Sequence, residues 1–69
     1  MQAFLERMAE CLEVPSVTAD YRFRETPGWS SLMGFAILVT IENDYGVQIA
    51  ADDFIRLETI GDLAKKAGV

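Results

Sequence analysis

"GWSSLMGFAILVTIENDYG", residues 28–46, is the stretch on which the fold turns. From Leu32 to Tyr45 it is apolar almost without a break, through Leu32, Met33, Phe35, Ala36, Ile37, Leu38, Val39, Ile41 and Tyr45. A run of this length suits a helix better than a strand. Gly46 is well placed to close that helix in a left-handed turn. A surface helix needs only one apolar stripe, and this one is apolar nearly all round. It is therefore central to a bundle, or carries an exposed apolar patch that meets a partner, or both.

Two serines precede the run, and a helix start needs only one. Ser30 is the expected N-cap, its hydroxyl accepting from the backbone N–H of Leu32 or Met33, worth about 1 kcal/mol. Ser31 is then the first helical residue, with a hydroxyl free at the helix mouth. Unsatisfied N–H groups and the positive end of the helix dipole favour an anion there, so a phosphate ester on Ser31 is held rather than repelled. Gly34 lies three residues on and shares that face. Glycine inside a helix costs about 1 kcal/mol against alanine, and here it is expected to keep the surface beside Ser31 low enough for close approach. The plainer reading leaves Ser31 an idle surface hydroxyl.

Working outward, Phe4, Leu5, Met8, Cys11 and Leu12 follow one helical face. The pattern predicts a first helix over residues 2–13, ended by Pro15. Cys11, on that stripe, is expected to be a small buried hydrophobe rather than a reactive thiol. Residues 14–29 show no sustained period and form a long connection, pinned to the core by Val17, Tyr21, Phe23 and Trp29, with Arg22 and Arg24 toward solvent. Beyond Gly46, Val47 and Ile49 alternate in an extended linker. A short helix opening at Ala51 or Asp52 holds Phe54, Ile55 and Leu57. Thr59, three residues before Asp62, marks a capping-box start to a last helix with Ile60, Leu63, Ala64 and Ala67 on its apolar face. Lys65 and Lys66 suit its C-terminal dipole.

Composition narrows the function. The 69 residues are expected to form one domain, and an apolar fraction of 51% is too high for a disordered tail. Eleven acidic residues against six basic give a net charge of −5, which a phosphate backbone would repel; nucleic acid is not the expected partner, and basic protein surfaces are. No apolar run approaches the roughly 20 residues of a membrane span. Together with the absence of a basic leader, this predicts a soluble, cytoplasmic protein, monomeric by default. Histidine is absent and the single cysteine offers no metal-ligand pair, so the reading runs against an autonomous enzyme.

Three blocks of the chain resemble the acyl carrier protein family. Ser31-Leu32 matches the S-L of a D-S-L motif that opens the family's second helix. "IENDYGVQI", Ile41 to Ile49, is similar to the "-E--FG--I" ending of that helix, and "LETIGDL", Leu57 to Leu63, to the "-T-GDL" start of the last one. The spacing between blocks is kept without insertion. The resemblance is good over residues 29–67 and weaker over the first helix and its loop. It implies an all-α fold, a small right-handed four-helix bundle with three longer helices, a short third one, and a long loop between the first two. It also implies a covalent 4′-phosphopantetheine arm on Ser31, loaded from coenzyme A by a magnesium-dependent phosphopantetheinyl transferase. The arm's thiol carries acyl groups as thioesters between acyl-transferring, ketosynthase-type or acyl-activating enzymes, while the protein supplies tether and docking surface.

Two departures from the family pattern stand out. Ser30 replaces the usual Asp, which removes a carboxylate from beside the modified serine. The usual early acidic places on the second helix are Met33 and Ala36, and charge returns only at Glu42 and Asp44. These point to an apolar docking surface built from Met33, Phe35, Ala36, Val39 and Glu42. Phe35 and Val39 face a partner if the core takes Leu32, Leu38, Ile41 and Tyr45; alternatively Phe35 and Met33 fold under the long loop. Asp52, Asp53 and Glu58 are candidates for a secondary acidic contact. Two other readings stay open: an unmodified interaction module on the carrier fold, and an aminoacyl or peptidyl carrier, whose Gly-Gly-x-Ser pattern "GWSSL" matches poorly.

Overall fold

A computed structural model describes residues 1–69. Four helices follow one another: α1 (Gln2–Leu12), α2 (Ser31–Tyr45), the single-turn α3 (Ala51–Phe54) and α4 (Ile60–Ala67), with one 3₁₀ turn, Phe23–Glu25, in the long loop. There is no strand, only an isolated antiparallel bridge between Arg22 and Thr59. The fold is the expected small all-helical bundle with a short third helix.

The core is drawn from α1, the long loop, α2 and α4. Phe4, Met8 and Leu12 of α1 meet Ile37 and Ile41 of α2 and Ile60, Leu63 and Ala67 of α4, all essentially sealed from water, with Phe23 of the loop among them. Burying a side chain of that size is worth about 1.5–3 kcal/mol, so this cluster supplies most of the drive to fold.

Local chemistry sets the helix ends. α1 stops at Leu12, short of the expected residue 13. Glu13 adopts φ 59°, and the Val14 N–H reaches back to the Ala9 carbonyl at 3.1 Å, a closing turn completed before Pro15. α2 ends at Gly46, φ 71°, as its sequence predicts. α4 opens on the expected reciprocal cap. Thr59 accepts from the Asp62 N–H, and the Asp62 carboxylate accepts from the Thr59 N–H.

Backbone hydrogen bonds lace the long loop to the start of α4: Phe23 N–H to Glu58 O at 3.3 Å, Ile60 N–H to Tyr21 O at 3.0 Å, Gly61 N–H to Ala19 O at 2.6 Å. Val17 and Phe23 are buried as expected, while Tyr21 and Trp29 are partly so. Tyr21 Oη and Thr26 Oγ1 lie 2.7 Å apart, which satisfies the buried threonine. Arg22 stays at the surface, paired with Glu25 and Glu58. Arg24 does the opposite of what was expected. It turns inward and donates to the carbonyls of Leu57 and Phe54, both at 2.6 Å, with its guanidinium against the rings of Phe23 and Phe54. The Leu57 carbonyl, just beyond the single-turn α3, has no backbone donor of its own, and the Phe54 carbonyl is shared with the Leu57 N–H.

Candidate functional site at the start of the second helix

Ser30 has extended backbone, φ −150° and ψ 168°, and occupies the N-cap position. Its hydroxyl makes no cap bond, contrary to expectation. The first turn is instead closed by the Ser30 carbonyl, which accepts from Met33 N–H at 3.1 Å and Gly34 N–H at 3.3 Å. Ser30 is exposed, so water competes for its hydroxyl, and the Met33 donor is already taken. The N–H groups of Ser31 and Leu32 are left without an acceptor in the protein.

Ser31 is the first residue of α2 and is exposed. Its side chain hydrogen-bonds to no other group, and no acidic residue stands in the first turn. No side chain that could serve as a general base hydrogen-bonds to it.

Gly34 is buried, which corrects the expectation of a low open surface. A Cβ there would lie 3.5 Å from Trp29 and from Phe54. These two rings close over α2 beside Ser31 and leave room for a Cβ at ordinary contact distance. Between α2 and α3 they leave a cleft of about 350 Å³, lined by Arg24, Trp29, Ser31, Gly34, Phe35, Leu38, Phe54 and Ile55. Sequence reasoning singled out Ser31 but did not anticipate this cleft, because Arg24 and Trp29 reach it from a loop without periodicity.

The inward line of α2 is Gly34, Ile37 and Ile41. Leu32 is therefore no core residue; it is 78% exposed, with Phe35 at 67%, Val39 at 37% and Ile55 of the α3 end at 70%. Glu42 is exposed on the same side and accepts from Gln48 at 2.9 Å. Met33 and Ala36 are partly buried, on the side of α2 that borders Cys11, Leu12 and the Pro27–Gly28 end of the loop. Phe35 is not folded under that loop. Cys11 is partly rather than fully buried, its Sγ 3.3 Å from Thr40 Oγ1. Of the acidic candidates, Asp53 pairs with Lys66 and Glu58 with Arg22, and Asp52 is exposed and unpaired.

A family model described as a phosphopantetheine attachment site matches residues 2–66. The chain belongs to that family. No curated protein and no solved structure matches it. Members are carriers on which 4′-phosphopantetheine is covalently attached, so acyl-handling enzymes and a phosphopantetheinyl transferase are the partners the family implies. The residues present fit such a group. An exposed hydroxyl sits at a helix start with two free backbone donors, no carboxylate crowds it, and an apolar cleft opens beside it. No helix is long and apolar enough to cross a membrane.

Proposed function

We propose that Ser31 is the attachment residue, and that the protein is a discrete acyl carrier serving a fatty-acid-like, polyketide-like or another specialised acyl pathway. Bound there, the arm supplies a thiol that holds acyl groups as thioesters. The chain's own residues do the rest. Ser31 would offer the ester oxygen, the unspent Ser31 and Leu32 N–H groups would be available to a phosphodiester, and the cleft walls would offer a mostly apolar surface to the tether and its cargo. In this reading the protein is not itself an enzyme.

The observation that carries it is the exposed Ser31 hydroxyl at the first position of α2, beside unspent N–H donors. The apolar face of Leu32, Phe35 and Val39, with Ile55 alongside, is the proposed docking surface for transferase and acyl-handling enzymes, with Glu42 at its edge. Met33 and Ala36 contribute from its flank. A cytoplasmic monomer completes the reading.

Incubation with coenzyme A, magnesium and a broad-specificity phosphopantetheinyl transferase tests it. The intact mass is expected to rise by one phosphopantetheine, and Ser31→Ala to abolish the gain. A folded protein that gains nothing, with this transferase or one from its own source, supports the unmodified interaction module instead.

A further inference from the structure

Arg24 is the one cation in the cleft beside Ser31, and no carboxylate lies within ion-pair distance of it. On its other side Arg24 borders a separate small pocket with Glu25 and Glu58, and both of these pair with Arg22, at 3.3 and 3.1 Å. The Arg24 charge is met only by two carbonyls and two ring faces, with its carbon Cζ 4.8 Å from the Phe23 centroid and 5.1 Å from that of Phe54. A guanidinium has five N–H donors, and two are spent. The remainder, on a rigid partly buried fork, suit an oxyanion. The other walls, Trp29, Phe35, Leu38, Phe54 and Ile55, are apolar. An occupant of the cleft therefore strips water from an unpaired cation, a cost that an anionic group on that occupant offsets.

Resting on Ser31 as the attachment residue, we propose that Arg24 is an anion receptor for what that serine carries. The shared chemistry is an oxyanion delivered into the cleft. It comes either from the arm's own phosphodiester or from a carboxylate on the cargo, as in the half-thioester of a dicarboxylic acid. In the second case Arg24 is a specificity residue that separates carboxylated acyl groups from plain aliphatic ones.

The test compares four forms of the protein, each verified by intact mass: unmodified, carrying the bare arm, and carrying a six-carbon acyl group or its ω-carboxylated counterpart with a ¹³C-labelled terminal carboxyl. The Arg24 side-chain N–H resonances and the pKa of the labelled carboxyl are read by NMR. If the phosphodiester is the anion, the Arg24 resonances move when the bare arm is added and move no further with either cargo. If the cargo is the source, the carboxyl pKa falls by about 1 pH unit or more against the same thioester on free pantetheine, the effect of an adjacent guanidinium on a carboxylate. That fall is lost in Arg24→Gln and largely kept in Arg24→Lys, which retains the charge if the glutamine variant loosens α3. Resonances unmoved by the arm, with a carboxyl pKa equal to that on free pantetheine, overturn the receptor. Failure of Ser31 to accept the arm at all is a different result, and it overturns the carrier reading as well.

Discussion

The Gly61 N–H donates to the Ala19 carbonyl at 2.6 Å, and a Cβ on Gly61 would stand 3.0 Å from that same oxygen. This contact fastens the long loop to the first turn of α4, and the neighbour in the way is backbone, which cannot swing aside. Gly61→Ala is expected to destabilise by about 1–2 kcal/mol through overpacking. The helix propensity of alanine does not offset this so early in a helix. Gly34→Ala is the contrast: its Cβ meets Trp29 and Phe54 at 3.5 Å, an ordinary contact, in mid-helix. It is expected to stabilise by about 1 kcal/mol. Thermal unfolding of both variants checks the pair, at roughly 4–8 °C per kcal/mol for a domain of this size. Shifts of the same sign would contradict the geometry.

Glu13 is the one non-glycine residue at positive φ, and its side chain is exposed. The left-handed conformation costs a residue with a Cβ about 1–2 kcal/mol. Glu13→Gly is accordingly expected to raise stability by about 1 kcal/mol, less some loss to the freer unfolded chain. Urea denaturation measures it as a higher midpoint with an unchanged slope.

Acid stability depends in part on Asp62. The backbone N–H groups of Glu58 and Thr59 donate to its carboxylate at 2.9 and 3.1 Å and hold its pKa below the ordinary aspartate value. A pKa lowered by folding gives a contribution fully present above the unfolded value, about 3.9. It drains away as pH falls through the folded value. Asp62→Asn is therefore expected to lower stability at neutral pH and to flatten the loss of stability below about pH 4. Unfolding free energies of both proteins between neutral and acid pH would show it; parallel curves would not fit.

Most of the architecture was legible before the structure, because its signals are local. The Thr59–Asp62 cap, Gly46 and the stripe of α1 each lie within a few residues of what they specify. What escaped the sequence is non-local. The apolar residues of α2 run nearly all round it, so nothing in its pattern says which face turns inward; of the core considered, Leu32, Leu38, Ile41 and Tyr45, only Ile41 is on the inward line of Gly34, Ile37 and Ile41. Arg24 turns inward because it meets carbonyls 30 and 33 residues away, which no motif encodes. Gly34 was expected to hold an open surface low, but Trp29 and Phe54 cover it, at a distance that leaves room for a Cβ. Ser31 stood out in the sequence because a second serine at a helix start has no evident structural task, and the structure places it exposed at the first position of α2.

Docking through an apolar face carries its own signature. Phe35 is exposed and α2 bears no acid before Glu42, so transferase and acyl-handling enzymes are expected to bind with little dependence on salt. Phe35→Ser should leave stability near wild type, a surface change being within about 0.5 kcal/mol. If Phe35 anchors the contact, it should cost about 2 kcal/mol of affinity, near 30-fold. Rates of arm loading at two salt concentrations test both statements. A steep fall with salt, or an unaffected Phe35→Ser, would mean that the acidic residues further along carry the contact.

The central claim is that of two adjacent serines Ser31 alone bears the arm, while Ser30 holds the cap position through its backbone carbonyl. Fragment-ion mass spectrometry of the loaded protein, with Ser30→Ala loaded beside it, tests this most directly. The account predicts the added mass on Ser31 alone, and a Ser30→Ala protein that still takes up one arm. Mass found on Ser30, or an arm retained by Ser31→Ala, would contradict it.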